Sequence, residues 1–144
     1  MNMSKVMAGH QPNFLPSISF FDKMKAVNEL GAEPGIFVIS EHHQFVKREF
    51  HNRNKIRTSY GWKWINVPVV SKKASIQEIK INNGYEIKGL SWNIYDLKLI
   101  EENYKKAPLF EDFFPALEKI FINPGESLSE FNKRIMFYLA KCFS

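Results

Sequence analysis

Cysteine is nearly absent from this sequence, since Cys142 is the only one, and no apolar run approaches the roughly 20 residues that a membrane helix needs. An intrachain disulfide is therefore excluded, and the N-terminus lacks a secretory apolar segment. Glycine-rich phosphate loops of the Walker or dinucleotide type are missing as well. We expect a cytoplasmic protein that makes no use of a membrane and no use of those two nucleotide-binding loops.

The length and composition indicate one globular domain that spans residues 1–144. A hydrophobic content of 44% with 24% charged residues argues against disorder, and 144 residues suffice for a core without disulfides. Aromatic residues make up 15% of the chain, which predicts a bulky core, an aromatic-lined pocket or a face that is covered by a partner. The formal net charge of +5 permits acidic partners without defining them.

The stretch at residues 6–24 predicts a strand, a loop and a helix. A short apolar run ends at Gly9, and an amphipathic pattern follows Pro16. In open α/β sheets, the ligand crevice lies between the carboxyl end of a strand and the next helix. The loop carries His10, Gln11 and Asn13, and its two prolines restrict their backbone conformations. The bland interpretation is a strand–helix connection with a surface histidine.

The remaining pattern predicts an α/β fold. The continuous apolar run Ile36–Ile39 predicts a buried strand, so the chain begins with a parallel β-α-β unit. Strand patterns at 62–70 and 79–81 predict an antiparallel extension, with Pro68 marking an edge or an early end. Three amphipathic segments follow, at 91–104, 110–121 and 127–143. The prediction is a mixed sheet started by the parallel unit, with the C-terminal helices packed on it.

The densest polar stretch, residues 41–58, follows the second predicted strand. It should lie at the same edge of the sheet as the His10 loop, which makes a shared site there. Adjacent His42 and His43 would point in opposite directions on a strand, so we expect no metal site. The basic residues could follow a nucleic-acid backbone, but charge runs are more often solvated, and a phosphate-bearing small ligand needs only two or three cations. A small-molecule partner is favoured over nucleic acid.

Ordered sequence blocks then suggest a family. The first is His10-Gln11-Pro12-Asn13-Phe14-Leu15-Pro16 with Phe20-Phe21-Asp22-Lys23-Met24. The second is Phe50-His51-Asn52-Arg53-Asn54-Lys55-Ile56, and the third is Gly61-Trp62-Lys63-Trp64-Ile65-Asn66-Val67-Pro68-Val69. The last is Trp92 with Tyr104-Lys105-Lys106-Ala107-Pro108-Leu109-Phe110. Together these blocks resemble the WbqC-like family, which is found with bacterial surface-polysaccharide (O-antigen) gene clusters.

The resemblance implies a transferase that acylates or aminoacylates an amino sugar during surface-polysaccharide (lipopolysaccharide) biosynthesis. Several positions depart from the family's pattern. Ser17-Ile18-Ser19 replaces a Trp-x-Gly group, Glu41-His42 replaces an acidic pair, and Asp96 stands where a histidine is usual. Family members also continue past the last predicted helix, so we expect a C-terminally shortened member.

The predicted site is a crevice between the His10 loop and the segment around Arg53. His10 would act as general base or hydrogen-bond donor, because an imidazole near neutrality can do either. The hydrogen-bonding residues for a sugar or an acyl amide would be Gln11, Asn13, Asn52 and Asn54. The cations for a donor phosphate would be Arg48, Arg53 and Lys55. The candidate walls are Phe14, Trp62 and Trp64. The substrate would be a nucleotide-activated sugar, and we expect neither a metal nor a cofactor.

Three other interpretations stay open at this point. Strand, histidine loop and helix also resemble nucleotidyltransferases, although the second histidine of their motif is lacking here. A basic nucleic-acid-binding module would use residues 41–58, and its binding would weaken steeply with salt. A shortened chain could also be a folded remnant without activity. The sequence does not define an oligomeric state.

Overall fold

The computed structural model describes residues 5–30, 35–46 and 49–142. Its strands are β1 (Met7–His10), β2 (Ile36–Ile39), β3 (Arg53–Thr58), β4 (Gly61–Asn66), β5 (Glu86–Ile87) and β6 (Leu90–Ser91). Its α-helices are α1 (Ile18–Glu29), α2 (Trp92–Tyr104), α3 (Phe110–Ile122) and α4 (Leu128–Cys142), with a 3-10 turn at Ile76–Glu78. The fold is α/β, which confirms the class predicted from the sequence.

Strands β1 and β2 form the predicted parallel β-α-β unit with α1 between them. They pair in register from Met7 opposite Ile36 to His10 opposite Ile39. Helix α1 begins after Ser17 at the N-cap position, where the hydroxyl contacts Ser19 rather than a backbone N–H. The unit places the end of β1, and with it the His10 loop, at the carboxyl edge of the pair.

The prediction that β2 is fully buried is wrong. Ile36 is 43% and Val38 is 41% exposed, whereas Phe37 and Ile39 pack with the buried Phe20 of α1. The pair has only two strands and α1 lies on one of its faces, so alternate side chains face outward. A continuous apolar run forms a strand buried on both faces only where other elements cover both faces of its sheet.

Strands β3 and β4 form a tight antiparallel hairpin, with Arg53 opposite Asn66 and Thr58 opposite Gly61. β4 ends at Asn66, short of the predicted Val70, so of the two outcomes predicted for Pro68 the early end is the one found. In the described part of the chain, the strands form three separate two-stranded sheets, so the parallel and antiparallel pairs do not share one sheet. Residues 79–81 form isolated bridges instead of the predicted strand, because Lys80 pairs with Ser127 and Ile81 with Val69.

The main core lies between the hairpin and the C-terminal helices. Its largest fully buried side chains include Trp92, Phe121 and Phe131, whose rings pack edge to face. A second cluster joins Met136 of α4 to Phe20 of α1, so α4 packs against the β-α-β unit as predicted. None of the helices in the described ranges has the length and apolarity of a membrane-crossing segment.

Candidate functional site

The loop after β1 is anchored in the core by Phe14. This ring is fully buried and stacks on Phe131 at a centroid distance of 6.1 Å. The Phe14 backbone N–H donates to the carbonyl oxygen of Phe50 at 2.9 Å, which joins the loop to the chain just before β3. Phe14 is therefore a core residue, and its expected role as a pocket wall is wrong.

Asn54 ties the loop to the hairpin. Its Nδ2 donates to the carbonyl oxygens of Phe14, at 3.2 Å, and Leu15, at 2.5 Å, while its Oδ1 accepts from the backbone N–H of Lys55 at 2.7 Å. Leu15 has a φ of 49°, a left-handed conformation that few non-glycine residues adopt. The structure thus brings the proline-bracketed loop and β3 together, although they lie about forty residues apart in sequence.

One hollow forms where these two segments meet, and we name it the Asn13 hollow. It encloses about 340 Å³ and is lined by Asn13, Pro16, Ser17, Phe50, Asn54, Lys55 and Trp64. Four of the sequence-predicted site residues are thus brought together: Asn13, Asn54, Lys55 and Trp64. Among the described residues, the Asn13 side chain makes no hydrogen bond, so its amide is available to a ligand.

A second hollow, the His10 hollow, lies at the carboxyl edge of β1 and β2. It encloses about 430 Å³ and is lined by Gly9, His10, Gln11, Ser40 and His43. The Nδ1–H of His10 donates to the Gln11 carbonyl oxygen at 2.8 Å, and its ring packs edge-on against Phe20. In this tautomer Nε2 carries the lone pair, so the ring can accept a proton there. The predicted site is therefore divided between two hollows on one loop.

The other predicted site residues occupy different positions. Asn52 Nδ2 donates to the Val67 carbonyl oxygen at 2.9 Å, and this bond supports the base of the hairpin. The Arg53 guanidinium lies 4.2 Å from the centroid of the Trp64 ring. Arg48, one of the predicted phosphate ligands, falls outside the described residues.

A buried histidine, His51, was not among the predicted site residues. Its side chain is 2% exposed, and its Nε2–H donates to Oε1 of Gln11 at 2.9 Å. Burial lowers the pKa of His51, the charge of His10 lowers it further, and Glu49 acts in the opposite direction. The ring is thus held neutral behind the loop. Its position in a strongly polar stretch suggested a surface residue and gave no signal of burial.

Asn132 of α4 is the second residue that sequence reasoning missed. It is fully buried, and its Nδ2 donates to the carbonyl oxygens of Pro12, at 3.1 Å, and His51, at 2.8 Å. One amide thus holds both segments of the site from behind. A signal existed in the sequence, because Asn132 interrupts the apolar stripe of α4 between Leu128 and Ile135 at helical spacing.

A polar cluster joins the chain after β2 to α4. The Ser129 hydroxyl donates to Oε2 of Glu41, and Lys133 Nζ lies 3.2 Å from the same oxygen and 2.7 Å from Oε1 of Glu130. The Ser129 hydrogen bond lowers the pKa of Glu41 against the effect of burial, and Lys133 adds to the lowering. This cluster fixes the segment that carries Ser40 and His43 into the His10 hollow.

Asp96 of α2 is buried and only 1% exposed. Burial raises the pKa of its carboxyl group to about 8, and in the described part of the chain its Oδ2 has no hydrogen-bond partner. The carboxyl group is therefore mostly protonated near neutral pH.

These features define an α/β protein in which two hollows flank a proline-bracketed loop after the first strand. The chain belongs to the WbqC-like protein family, whose profile matches residues 11–144. This confirms the resemblance found in the sequence.

A relative is the uncharacterized protein Rv1507c of Mycobacterium tuberculosis. It is 32% identical over 133 residues, which cover 92% of this chain and 53% of the relative. The chain thus spans about half the length of that relative. No solved structure gives a significant match.

Proposed function

We propose that this protein transfers an acyl or aminoacyl group to the amine of a nucleotide-activated amino sugar in bacterial surface-polysaccharide biosynthesis. The observation that carries the proposal is the Asn13 hollow, where an available amide, a cation and an aromatic ring converge. Amides hydrogen-bond sugar hydroxyls, a lysine pairs with phosphate, and an indole face packs on a sugar ring. Membership of the WbqC-like family supports the same substrate class through the O-antigen setting that the resemblance implies.

Within this proposal, the predicted residues take distinct roles. Asn13 contacts the sugar directly, Lys55 pairs with a donor phosphate, and Arg53 adds positive charge beside it. Asn52 and Asn54 hold the walls, since their amide nitrogens donate to backbone carbonyls. The amide nitrogen of Gln11 donates to the acyl oxygen. Trp64 packs on the sugar ring, and Arg48 contributes a further positive charge for the phosphates.

The group transfer itself is assigned to His10. The amine lone pair attacks the carbonyl carbon of an acyl thioester or an activated aminoacyl donor. A C–N bond forms, and the bond from that carbon to the leaving group breaks with its electron pair. Nε2 of His10 takes the proton that the amine loses and returns it to the leaving group. His10 and Asn13 are three residues apart, at most about 11 Å between Cα atoms, so one substrate can reach both hollows.

The proposed reaction takes place on small molecules in the cytoplasm. The presence of a single cysteine, Cys142, fits that compartment. The acyl donor is a co-substrate, and the proposal requires neither a further cofactor nor nucleic acid.

The proposal is tested by thermal shift and by mass-spectrometric detection of the acylated sugar. Purified protein is offered nucleotide-activated amino sugars with acyl thioesters or ATP-activated amino acids. We expect a ligand-induced rise in melting temperature that Asn13→Ala reduces, because this variant removes only the available amide. His10→Ala should keep the shift and lose turnover by about a hundredfold or more.

Matched controls come from exposed residues of the same types. His42→Ala and Asn123→Ala lie outside both hollows and should keep the wild-type shift and turnover. Equal shifts in wild type and Asn13→Ala would show that the sugar binds elsewhere. Absence of any shift and of any acylated product across the panel would overturn the function.

A further inference from the structure

The outward face of the β3–β4 hairpin carries a regular set of cations and indoles, which we name the basic-aromatic face. It consists of Arg53, Lys55, Arg57, Trp62 and Trp64. Side chains alternate along a strand, and Ile56 and Ile65 on the opposite face are buried at 5% and 1% exposure. The five named side chains therefore share the face that points away from the core.

Two of the three cations of this face, Arg53 and Lys55, lie over its indole rings. Lys55 Nζ is 4.1 Å from the centroid of the Trp62 ring and 5.2 Å from that of Trp64. In the ranges that the structure describes, neither Lys55 nor Arg57 forms an ion pair with an acidic side chain. Trp62 is 58% exposed although it is a large apolar side chain. Lys55 and Arg57 thus present positive charge without an acidic partner among the described residues, beside the accessible ring of Trp62.

The basic-aromatic face is continuous with the Asn13 hollow, because Lys55 and Trp64 line that hollow. A further shallow hollow of about 460 Å³ continues toward the hairpin turn and is lined by Lys55, Ile56, Arg57, Thr58, Ser59, Gly61 and Trp62. Lys55 and Arg57 are two residues apart on one strand, which separates their Cα atoms by about 7 Å. Two cations at this spacing can each pair with one phosphate of a diphosphate.

We propose that the basic-aromatic face binds the nucleoside diphosphate part of the activated sugar, with the phosphates on Lys55 and Arg57 and the base on Trp62. This assignment deepens the proposed function and rests on it, since it places the sugar in the adjoining Asn13 hollow. It adds Arg57 and Trp62 as binding residues.

The size of the face favours a mononucleotide over single-stranded nucleic acid. β3 has six residues, about 20 Å of strand. It ends at the Ser59–Tyr60 turn on one side and meets the Asn13 hollow on the other. Sequence-tolerant single-strand sites follow about 4–16 nucleotides along a basic groove with several stacking rings. One diphosphate and one base fill the space available here.

The test measures binding of uridine diphosphate and of inorganic pyrophosphate by calorimetry and tryptophan fluorescence. Trp62→Ala and Arg57→Gln should each weaken uridine diphosphate binding about tenfold, because one removes the stacking surface and the other a charge-assisted bond. Arg57→Gln should weaken pyrophosphate binding equally, whereas Trp62→Ala should leave pyrophosphate binding unchanged. The buried Trp92 reports in each variant that the core is intact.

Lys63→Gln is the matched control. Lys63 pairs with Ile56 in the register, so it lies on the other face of the hairpin, and its Nζ donates to the Tyr95 hydroxyl oxygen at 3.2 Å. Its removal changes the net charge as Arg57→Gln does, and uridine diphosphate binding should stay at the wild-type value. An equal loss in both variants would indicate a general charge effect and would overturn the proposal.

Other outcomes separate this inference from the proposed function. No binding of uridine diphosphate, or tight binding of a short oligothymidylate that uridine diphosphate does not displace, would overturn the assignment of the face. If Trp62→Ala and Arg57→Gln leave amino-sugar acylation unchanged, the assignment of the face is overturned and the proposed function stands. Nucleoside diphosphate binding as expected, with no acylated product, would support the assignment of the basic-aromatic face and overturn the proposed transferase activity.

Discussion

His51 donates a hydrogen bond from Nε2 to Oε1 of Gln11 across forty residues of chain, at 2.9 Å. The bond joins the loop after β1 to the segment that enters the hairpin. In the described part of the chain the other ring nitrogen, Nδ1, is buried without a hydrogen-bond partner. The ring is therefore neutral in the fold, because a protonated ring would bury an N–H without an acceptor.

The pH dependence of stability should reveal this neutral histidine. Burial lowers the folded-state pKa of His51, so its contribution is present above about pH 6.5 and is lost as the pH falls through the folded pKa. His51→Gln removes the titrating ring, so the variant does not undergo this loss of stability at low pH. At pH 7.5 the variant should be less stable than wild type, since the ring also packs edge-on against Phe45. The deficit should shrink at pH 5.5 in urea unfolding.

The control for that measurement is His42→Gln. His42 is exposed, so we expect the free energy of unfolding of His42→Gln to stay within about 0.5 kcal/mol of wild type at each pH. A His51→Gln deficit that is the same at pH 7.5 and pH 5.5 would contradict the neutral assignment.

Asp96 should act with the opposite sign. Its folded pKa of about 8 lies above the unfolded value, so folding takes up a proton between about pH 4 and pH 8 and stability falls as the pH rises through that window. Asp96→Asn carries no titrating group. Its stability relative to wild type should therefore improve with pH, by at most about 1.4 kcal/mol per pH unit. Chemical denaturation at pH 5, 6.5 and 8 measures the trend, and a constant difference would refute it.

Removal of the Asn132 side chain should destabilise the fold strongly. Asn132→Ala leaves the carbonyl oxygens of Pro12 and His51 without this buried donor, at an expected cost of about 3 kcal/mol in the free energy of unfolding. The matched control is Asn103→Ala, because Asn103 donates to the Leu99 carbonyl oxygen within its own helix. That variant should be neutral or slightly stabilising, since alanine favours helix. Similar losses in both variants would argue against a special role for Asn132.

The residue that precedes α3 offers a test of backbone strain. Leu109 has a φ of 66° and is 63% exposed, so a non-glycine residue holds a left-handed conformation with little burial to compensate. Leu109→Gly should raise the free energy of unfolding by about 1 kcal/mol. Leu30→Gly is the control, because Leu30 is 75% exposed with a φ of −82° and should lose stability instead. Thermal unfolding shows whether each variant is more or less stable than wild type. A lower melting temperature for Leu109→Gly would contradict backbone strain at this residue.

The sequence by itself determined the elements that depend on local periodicity and turn chemistry. The apolar spacing of α1, α3 and α4 predicted each helix, and the proline-bracketed loop followed from Pro12 and Pro16. Gly61 stands at the start of β4, where glycine permits the φ of 127° that the chain adopts. These features need only residues that are close together along the chain, and the ordered motifs were sufficient to indicate the family.

Only the tertiary structure decided how distant segments meet. It divided the predicted crevice into the His10 hollow and the Asn13 hollow, and it moved Phe14 from a pocket wall into the core. It also placed Asn132 of α4 behind the loop. These outcomes depend on which faces pack together and on hydrogen bonds between residues 40 to 120 positions apart, such as Asn54 to Phe14 and Asn132 to Pro12. Periodicity reports that a face is apolar, but packing alone determines what covers it.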